Sequence, residues 1–260
     1  DLDWLANYIE QNGQRVALMS LMWVNNETGV IADIPAITEL ASKYGVPVHS
    51  DAVAAFGHIP VDFASSGLAA MSISAHKIGG PVGSGALIVG RSVKLTSLVH
   101  GGGQERGMRS GTMDAAGATS FALAAELACA EIDSETQRLA VLAQRLVAGV
   151  TEVASDAVLS RGDALGLPGT VHFTFPGCSA DSLIFLLDAA GVSVSAGSAC
   201  TAGVNRPSHV LLAMGRSEDE ATGALRITLG YTTTEADIDA FLTAFPGAHQ
   251  AAKKAGLPSK

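Results

Sequence analysis

An α/β fold, with a mostly parallel sheet and helices on both faces, followed by a smaller C-terminal α+β domain, is predicted by three observations. Apolar runs of strand length alternate with amphipathic stretches of helix length from Val16 to Val89. Asn26, Asp51 and Lys77 each end such a run, at steps of 51 − 26 = 25 and 77 − 51 = 26 residues, one strand-and-crossover unit apiece. Finally, the pattern changes between Glu131 and Gln137, which divides the chain into residues 1–131 and 132–260.

Asp3 to Ile9, with Trp4, Leu5, Tyr8 and Ile9 apolar, reads as the end of a helix. Val16 to Val24 is nearly continuous in apolar residues, as a buried strand requires, and ends in Asn25-Asn26-Glu27-Thr28-Gly29. Asp33 caps a helix that has Pro35 in its first turn, Ile34, Ile37, Leu40 and Ala41 on one face, and Gly45 at its close. Val46 to Ser50 is a strand ending at Asp51. A crossover through Pro60-Val61-Asp62-Phe63 leads to a strand at Met71 to Ser74, and Ala86 to Val89 is another. Met113 to Gly149 is helical, with one stripe through Ala122, Leu123, Glu126, Leu127 and Ala130 and a second through Leu139, Leu142, Leu146 and Val150. Thr170 to Phe175 and Ala224 to Leu229 read as strands, and Ala180 to Ala190 as a helix facing the core with Leu183, Leu186 and Leu187. Thr232 and Glu235 form a capping-box pattern before Ile238, Phe241, Leu242 and Phe245, in a terminal helix expected to stop at Pro246.

The 260 residues, 48% of them hydrophobic, suffice for one large core and a smaller one. A net charge of −9 argues against broad nucleic-acid binding. No apolar run reads as membrane-spanning, and Asp1-Leu2-Asp3-Trp4 has no secretory features, so a cytoplasmic chain is expected. Cys129, Cys178 and Cys200 are odd in number and widely spaced, which suits neither a disulfide framework nor a zinc site. Cys129 and Cys178 read as small buried residues. The chain starts without methionine and with the end of a helix, as though it began inside a longer protein.

Several stretches carry chemistry. Ser72-Ile73-Ser74-Ala75-His76-Lys77-Ile78-Gly79-Gly80-Pro81 delivers a lysine at a strand end, and a partly desolvated amine can form a Schiff base with an aldehyde. Alone, Lys77 is an ordinary surface lysine. Its company changes that, because Asn26, Asp51 and Lys77 share the C-terminal edge where open α/β sheets bind ligands. An amide, a carboxylate and an amine there can hold a pyridine ring, its phenolic oxygen and its aldehyde. The glycine-rich run His100 to Thr112, with Arg106, Arg109, Ser110 and Thr112, can present N–H groups, guanidinium and hydroxyls to a phosphate, and alone reads equally as a solvated loop. Cys200 lies in Ser195-Ala196-Gly197-Ser198-Ala199-Cys200-Thr201-Ala202-Gly203, a stretch with little to anchor it, and a movable thiol fits there. His209 reads as a helix-surface histidine. Arg226, charged among apolar neighbours, is suited to a carboxylate, either of the protein or of a substrate.

Together these residues resemble the cysteine desulfurases of the NifS/IscS group, among the class V aminotransferase-family, fold-type I pyridoxal-phosphate enzymes. The resemblance runs in order through Val24 to Gly29, His49-Ser50-Asp51-Ala52, Ser74 to Lys77, His100 to Thr112, Ser198-Ala199-Cys200-Thr201 and Leu225-Arg226. It implies that Lys77 holds pyridoxal phosphate and shuttles the substrate Cα proton, while Asp51 pairs with the pyridine nitrogen. Asn26 would bond the phenolic oxygen and face the substrate. Ser74 and His76 would contact the phosphate, with Thr112 arriving from the second subunit of a homodimer. Arg226 would hold the carboxylate of L-cysteine and Cys200 would take its sulfur. The products implied are L-alanine and a persulfide, passed to sulfur acceptors such as an iron–sulfur scaffold or thiolation proteins.

Two departures from the family pattern stand out. Ala54 occupies a position usually held by Gln, which removes one hydrogen bond to the cofactor. Nothing upstream of Asn26 supplies the glycine-rich phosphate cup or the histidine that stacks on the ring, so the chain resembles a desulfurase lacking its N-terminal portion, with weak cofactor retention and little turnover alone. Two other readings remain open at this stage: another class V lyase or aminotransferase, such as a selenocysteine lyase, and a non-catalytic dimerisation or sulfur-acceptor module.

Overall fold

The computed structural model describes residues 1–197 and 207–255. They divide into two compact units. The first comprises residues 1–24 and 32–132, the second residues 25–31 and 133–260.

In the first unit, helix α1 (Leu2–Asn12) begins where Asp1 accepts a hydrogen bond from the Trp4 amide at 3.0 Å. Strand β1 is Met19–Met22, shorter than the apolar run that predicts it. Helix α2 (Ile34–Ser42) is capped by Asp33, whose carboxylate accepts from the Ala36 amide at 3.1 Å, and Pro35 occupies the first turn, where its absent N–H costs nothing. Strands β2 (Val48–Asp51), β3 (Ala70–Ser74) and β4 (Gly85–Val89) complete a sheet in the order β1-β2-β3-β4. The pairs β1–β2 and β2–β3 are parallel, and β4 runs antiparallel. Only the first parallel crossover contains a helix. The second turns instead, as Asp62 binds the Ala64 amide and the Ser65 hydroxyl in place of a helical ladder.

Helix α3 (Ala115–Val153) is unbroken through Glu131–Gln137. The expected joint there is helical because no glycine or proline interrupts residues 118–148. The N-terminal stripe is also corrected. Phe121 is buried and packs edge-on against Phe56, whereas Leu123 and Leu127 are each 57% exposed. Cys129 lies on the exposed side too, not buried as its alanine-rich surroundings suggest. By length and composition α3 could cross a bilayer, contrary to the sequence reading, a property it shares with core helices of globular folds.

The second unit carries an antiparallel sheet of β5 (Val158–Leu159), β6 (Thr170–Thr174) and β7 (Ala224–Thr228), in that order. Every residue of β6 is buried, so apolar and polar side chains alike are enclosed. Helix α4 (Ala180–Ala189), the short helices α5 (His209–Ala213) and α6 (Glu218–Thr222), and α7 (Glu235–Ala255) complete it. Leu142, Leu146 and Val150 of α3 form one core with Phe173, Phe175, Leu183, Leu187, Phe241 and Phe245. Cys178 is buried there, and burial pushes its thiol pKa up.

Two expectations about α7 are corrected. Its cap is Thr234, whose amide and hydroxyl both donate to Asp237, rather than Thr232 with Glu235. The helix also passes through Pro246 to Ala255. Beyond the proline, Ala248, His249 and Ala252 are buried, which offsets the lost backbone bond.

Candidate functional site

In the first unit the sheet delivers Asp51, Ser74, His76 and Lys77 to the C-terminal ends of two adjacent parallel strands. Asp51, the last residue of β2, pairs in register with Ser72 of β3. Its Oδ1 accepts from the Val53 amide at 2.9 Å, which holds the half-buried carboxylate in one orientation. Two residues beyond Ser72, Ser74 ends β3, and a single 3₁₀ turn (Ala75–Lys77) follows. The Ser74 hydroxyl and His76 Nδ1 are hydrogen-bonded at 2.6 Å, so the two expected phosphate contacts form one polar pair.

Buried Ala75 anchors this turn, its carbonyl accepting from Gly80 at 2.9 Å. A Cβ at Gly80 would meet Ala75 Cβ at 2.9 Å, so the turn closes only with glycine there. Lys77 itself is exposed, and its carbonyl is bonded to His58 Nε2 at 3.0 Å. The expected desolvation of the amine is therefore not supplied within this unit, because the turn lifts it off the sheet.

One polar ladder escaped the sequence reading. His49 Nδ1 is bonded to the Ser20 hydroxyl at 2.8 Å and His49 Nε2 to that of Ser72 at 2.9 Å, across β1, β2 and β3. Alternation places His49 on the same sheet face as Asp51, and that alternation is the signal that could have found it.

The glycine-rich run is a closed turn rather than an open loop. Ser110 Oγ accepts from Gly103 at 3.4 Å and Gln104 Oε1 from Gly111 at 3.1 Å, so these N–H groups are already engaged. Glu105 and Arg106 adopt positive φ values of 49° and 58°, a sparsely populated region for side-chain-bearing residues. Thr112 is exposed. Among the described residues no hydrogen bond joins it to Ser74, His76 or Lys77.

The second unit contains Asn26 and Arg226. The Asn25 side chain accepts from the amides of Glu27 and Thr28 at 3.0 and 2.9 Å, an Asx turn that presents Asn26 to solvent. Gly29 closes it at φ 74°, where a Cβ would meet Thr170 Cβ at 2.9 Å. Arg226, on β7, donates from Nη1 to the carbonyls of Asn26 at 2.8 Å and Gly197 at 3.2 Å. Among the described residues its Nε is buried without a partner. Opposite it on β6, His172 is 1% exposed, with Nδ1 bonded to the Ser160 hydroxyl at 2.7 Å. Burial, and then the Arg226 charge, push its pKa down to about 4. His209 is exposed, as expected. Cys200 lies outside the described residues.

The donor set of the first unit fits pyridoxal phosphate: an oriented carboxylate, an amine, and a hydroxyl–imidazole pair match a ring nitrogen, an aldehyde and a phosphate. Comparison with known proteins points the same way. An IscS-like cysteine desulfurase of Mycobacterium tuberculosis is 50% identical over 248 residues, 95% of this chain and 63% of that protein. A cysteine desulfurase of Gluconacetobacter diazotrophicus is 40% identical over 233 residues, 90% of this chain and 58% of its own length. The crystal structure of a NifS-like protein from Rickettsia africae superposes with a TM-score of 0.87 at 34% identity, covering 96% of this chain and 66% of that one. The chain thus spans under two thirds of the length of such relatives. The family model for class-V aminotransferases matches residues 1–241. With that match, and with the strand-end carboxylate and lysine in place, the chain belongs to the class-V aminotransferase family.

Proposed function

We propose that this chain is the main part of a pyridoxal-phosphate-dependent cysteine desulfurase, converting L-cysteine to L-alanine and leaving the sulfur as a persulfide on Cys200. The observation that carries the reading is the placement of Asp51 and the Ser74–His76–Lys77 turn at the ends of adjacent parallel strands. The first unit is read as part of the cofactor-binding domain and the second as the small domain that bears Cys200.

When bound, pyridoxal phosphate supplies an electron sink for negative charge developing at the substrate Cα. Asp51, oriented by Val53, would accept a hydrogen bond from the ring nitrogen and so favour that sink. Ser74 and His76 hold the phosphate, and Asn26 the phenolic oxygen. Lys77 takes the proton from Cα. Arg226 holds the substrate carboxylate through Nη2, the terminal nitrogen that Asn26 and Gly197 leave free. The Cys200 thiolate attacks the substrate sulfur, so an S–S bond forms as the Cβ–S bond breaks. The electron pair of that bond stays on carbon, which is protonated to give alanine. We further infer a homodimer, in which Thr112 serves the partner's phosphate, and a thiol-bearing acceptor such as an iron–sulfur scaffold.

The test is a visible absorption spectrum of the chain with pyridoxal phosphate, before and after borohydride, alongside Lys77→Ala. A Lys77-dependent band is expected, together with sulfide release from cysteine that Cys200→Ser abolishes. Sulfide release that survives Cys200→Ser would contradict the proposal.

A further inference from the structure

Gly197 and Ser208 meet one buried polar cluster in the second unit. On the downstream side, the Ser208 hydroxyl donates to Glu27 Oε2 at 2.5 Å. Ser208 also caps α5, accepting from the Leu211 amide at 3.3 Å. On the upstream side, a Cβ at Gly197 would lie 2.7 Å from the same Glu27 oxygen and 2.8 Å from His172 Nε2. Neither neighbour can yield easily, since Glu27 and His172 are each 1% exposed and are held by Ser208 and Ser160. Arg226 Nη1 then ties the carbonyl of Gly197 to that of Asn26.

The fold alone does not call for these groups. Enclosing a carboxylate, together with a His172 Nε2 that has no partner among the described residues, costs free energy that an apolar turn would avoid. What the arrangement achieves is geometric. Residue 197, residue 208 and the Asn25–Gly29 turn are bound to one carboxylate and one guanidinium.

We propose that Glu27 is a positioning residue. With Ser208, Gly197 and Arg226, it fixes residues 197 and 208, which flank Cys200 in sequence, to the turn that carries Asn26. Its catalytic consequence rests on the desulfurase reading, because sulfur transfer requires the attacking thiol to be held within reach of its target. The anchoring itself does not depend on that reading.

The experiment uses the full chain, loaded with pyridoxal phosphate, in a Cys129→Ser, Cys178→Ala background, so that iodoacetamide reports Cys200 alone. Glu27→Ala and Ser208→Ala are each expected to change the alkylation rate about tenfold, with the double variant no worse than either. Glu27→Gln and Ser208→Thr, which keep an acceptor and a hydroxyl, stay near the parent rate. The Lys77-dependent absorption band of Ser208→Ala remains that of the parent, and Ser208→Thr, which keeps both the cap and the bond to Glu27, keeps the parent alkylation rate, a separation that general loosening of the unit would not produce. Equal alkylation rates for the parent, Glu27→Ala and Ser208→Ala overturn the proposal, as do effects that add in full. Alanine formation that survives Lys77→Ala removes the desulfurase reading while the alkylation comparison still decides the anchoring.

Discussion

His172 shows what enclosure does to a titratable side chain. It stays neutral in the folded protein down to about pH 4. In an unfolded chain a histidine takes up its proton near pH 6.5. Between these values the unfolded state binds the extra proton, so the stability associated with a neutral His172 is complete above pH 6.5 and is lost as pH falls toward 4. The loss is about 3 kcal/mol over the whole window. His249, also lowered chiefly by burial, acts in the same direction. Urea unfolding at pH 7 and pH 4.5 should therefore show a smaller difference for His172→Gln than for the parent; an unchanged difference would count against this account. Ala54 yields a second expectation at this scale. Replacing it with Gln offers one more hydrogen bond to the cofactor and should tighten pyridoxal-phosphate binding by about 1 kcal/mol, roughly fivefold in Kd. Equal dissociation constants would remove that role from position 54.

At the scale of elements, α7 continues through a residue that usually ends a helix. Pro246 is exposed and lacks the N–H that would reach the Leu242 carbonyl, so burial of Ala248, His249 and Ala252 must hold the last turns. Pro246→Ala restores that bond and should stabilise the chain by about 1–3 kcal/mol, seen as a rise in melting temperature. No rise would mean that the helix is locally adapted to the proline. Helix α3 behaves differently along its length. Leu146 is fully buried in the core of the second unit, so Leu146→Ala should destabilise by about 2–5 kcal/mol in denaturant titration. The same truncation at Leu127, more than half exposed, should have far less effect on stability.

At the scale of the whole molecule, the first unit shows solvent several large apolar side chains, with Leu98 at 92%, Val82 at 90%, and Leu123 and Leu127 at 57%. Leu123 and Leu127, four residues apart on α3, are neighbours on one exposed helix face of the kind an interaction surface uses. This supports the proposed homodimer, and sedimentation should show self-association that Leu123→Glu with Leu127→Glu weakens. A parent chain that sediments as a monomer at all concentrations would oppose it.

Much of this protein was legible in its sequence, for a local reason. Strand and helix periods, the Asp33 cap and the ordered motifs around Asn26, Asp51, Lys77 and Arg226 depend on neighbours along the chain, and nearest-neighbour chemistry is written in sequence. Other features were decided only by tertiary structure. The buried face of α3, the exposure of Lys77, the passage of α7 through Pro246, and the bond between Glu27 and Ser208, 181 residues apart, all depend on what packs from elsewhere. Arg226 makes the distinction plain. Its sequence setting says that a guanidinium needs oxygen partners, whereas the fold alone supplies the carbonyls of Asn26 and Gly197, because the partners of a half-buried charge are whichever groups the long-range packing brings to it.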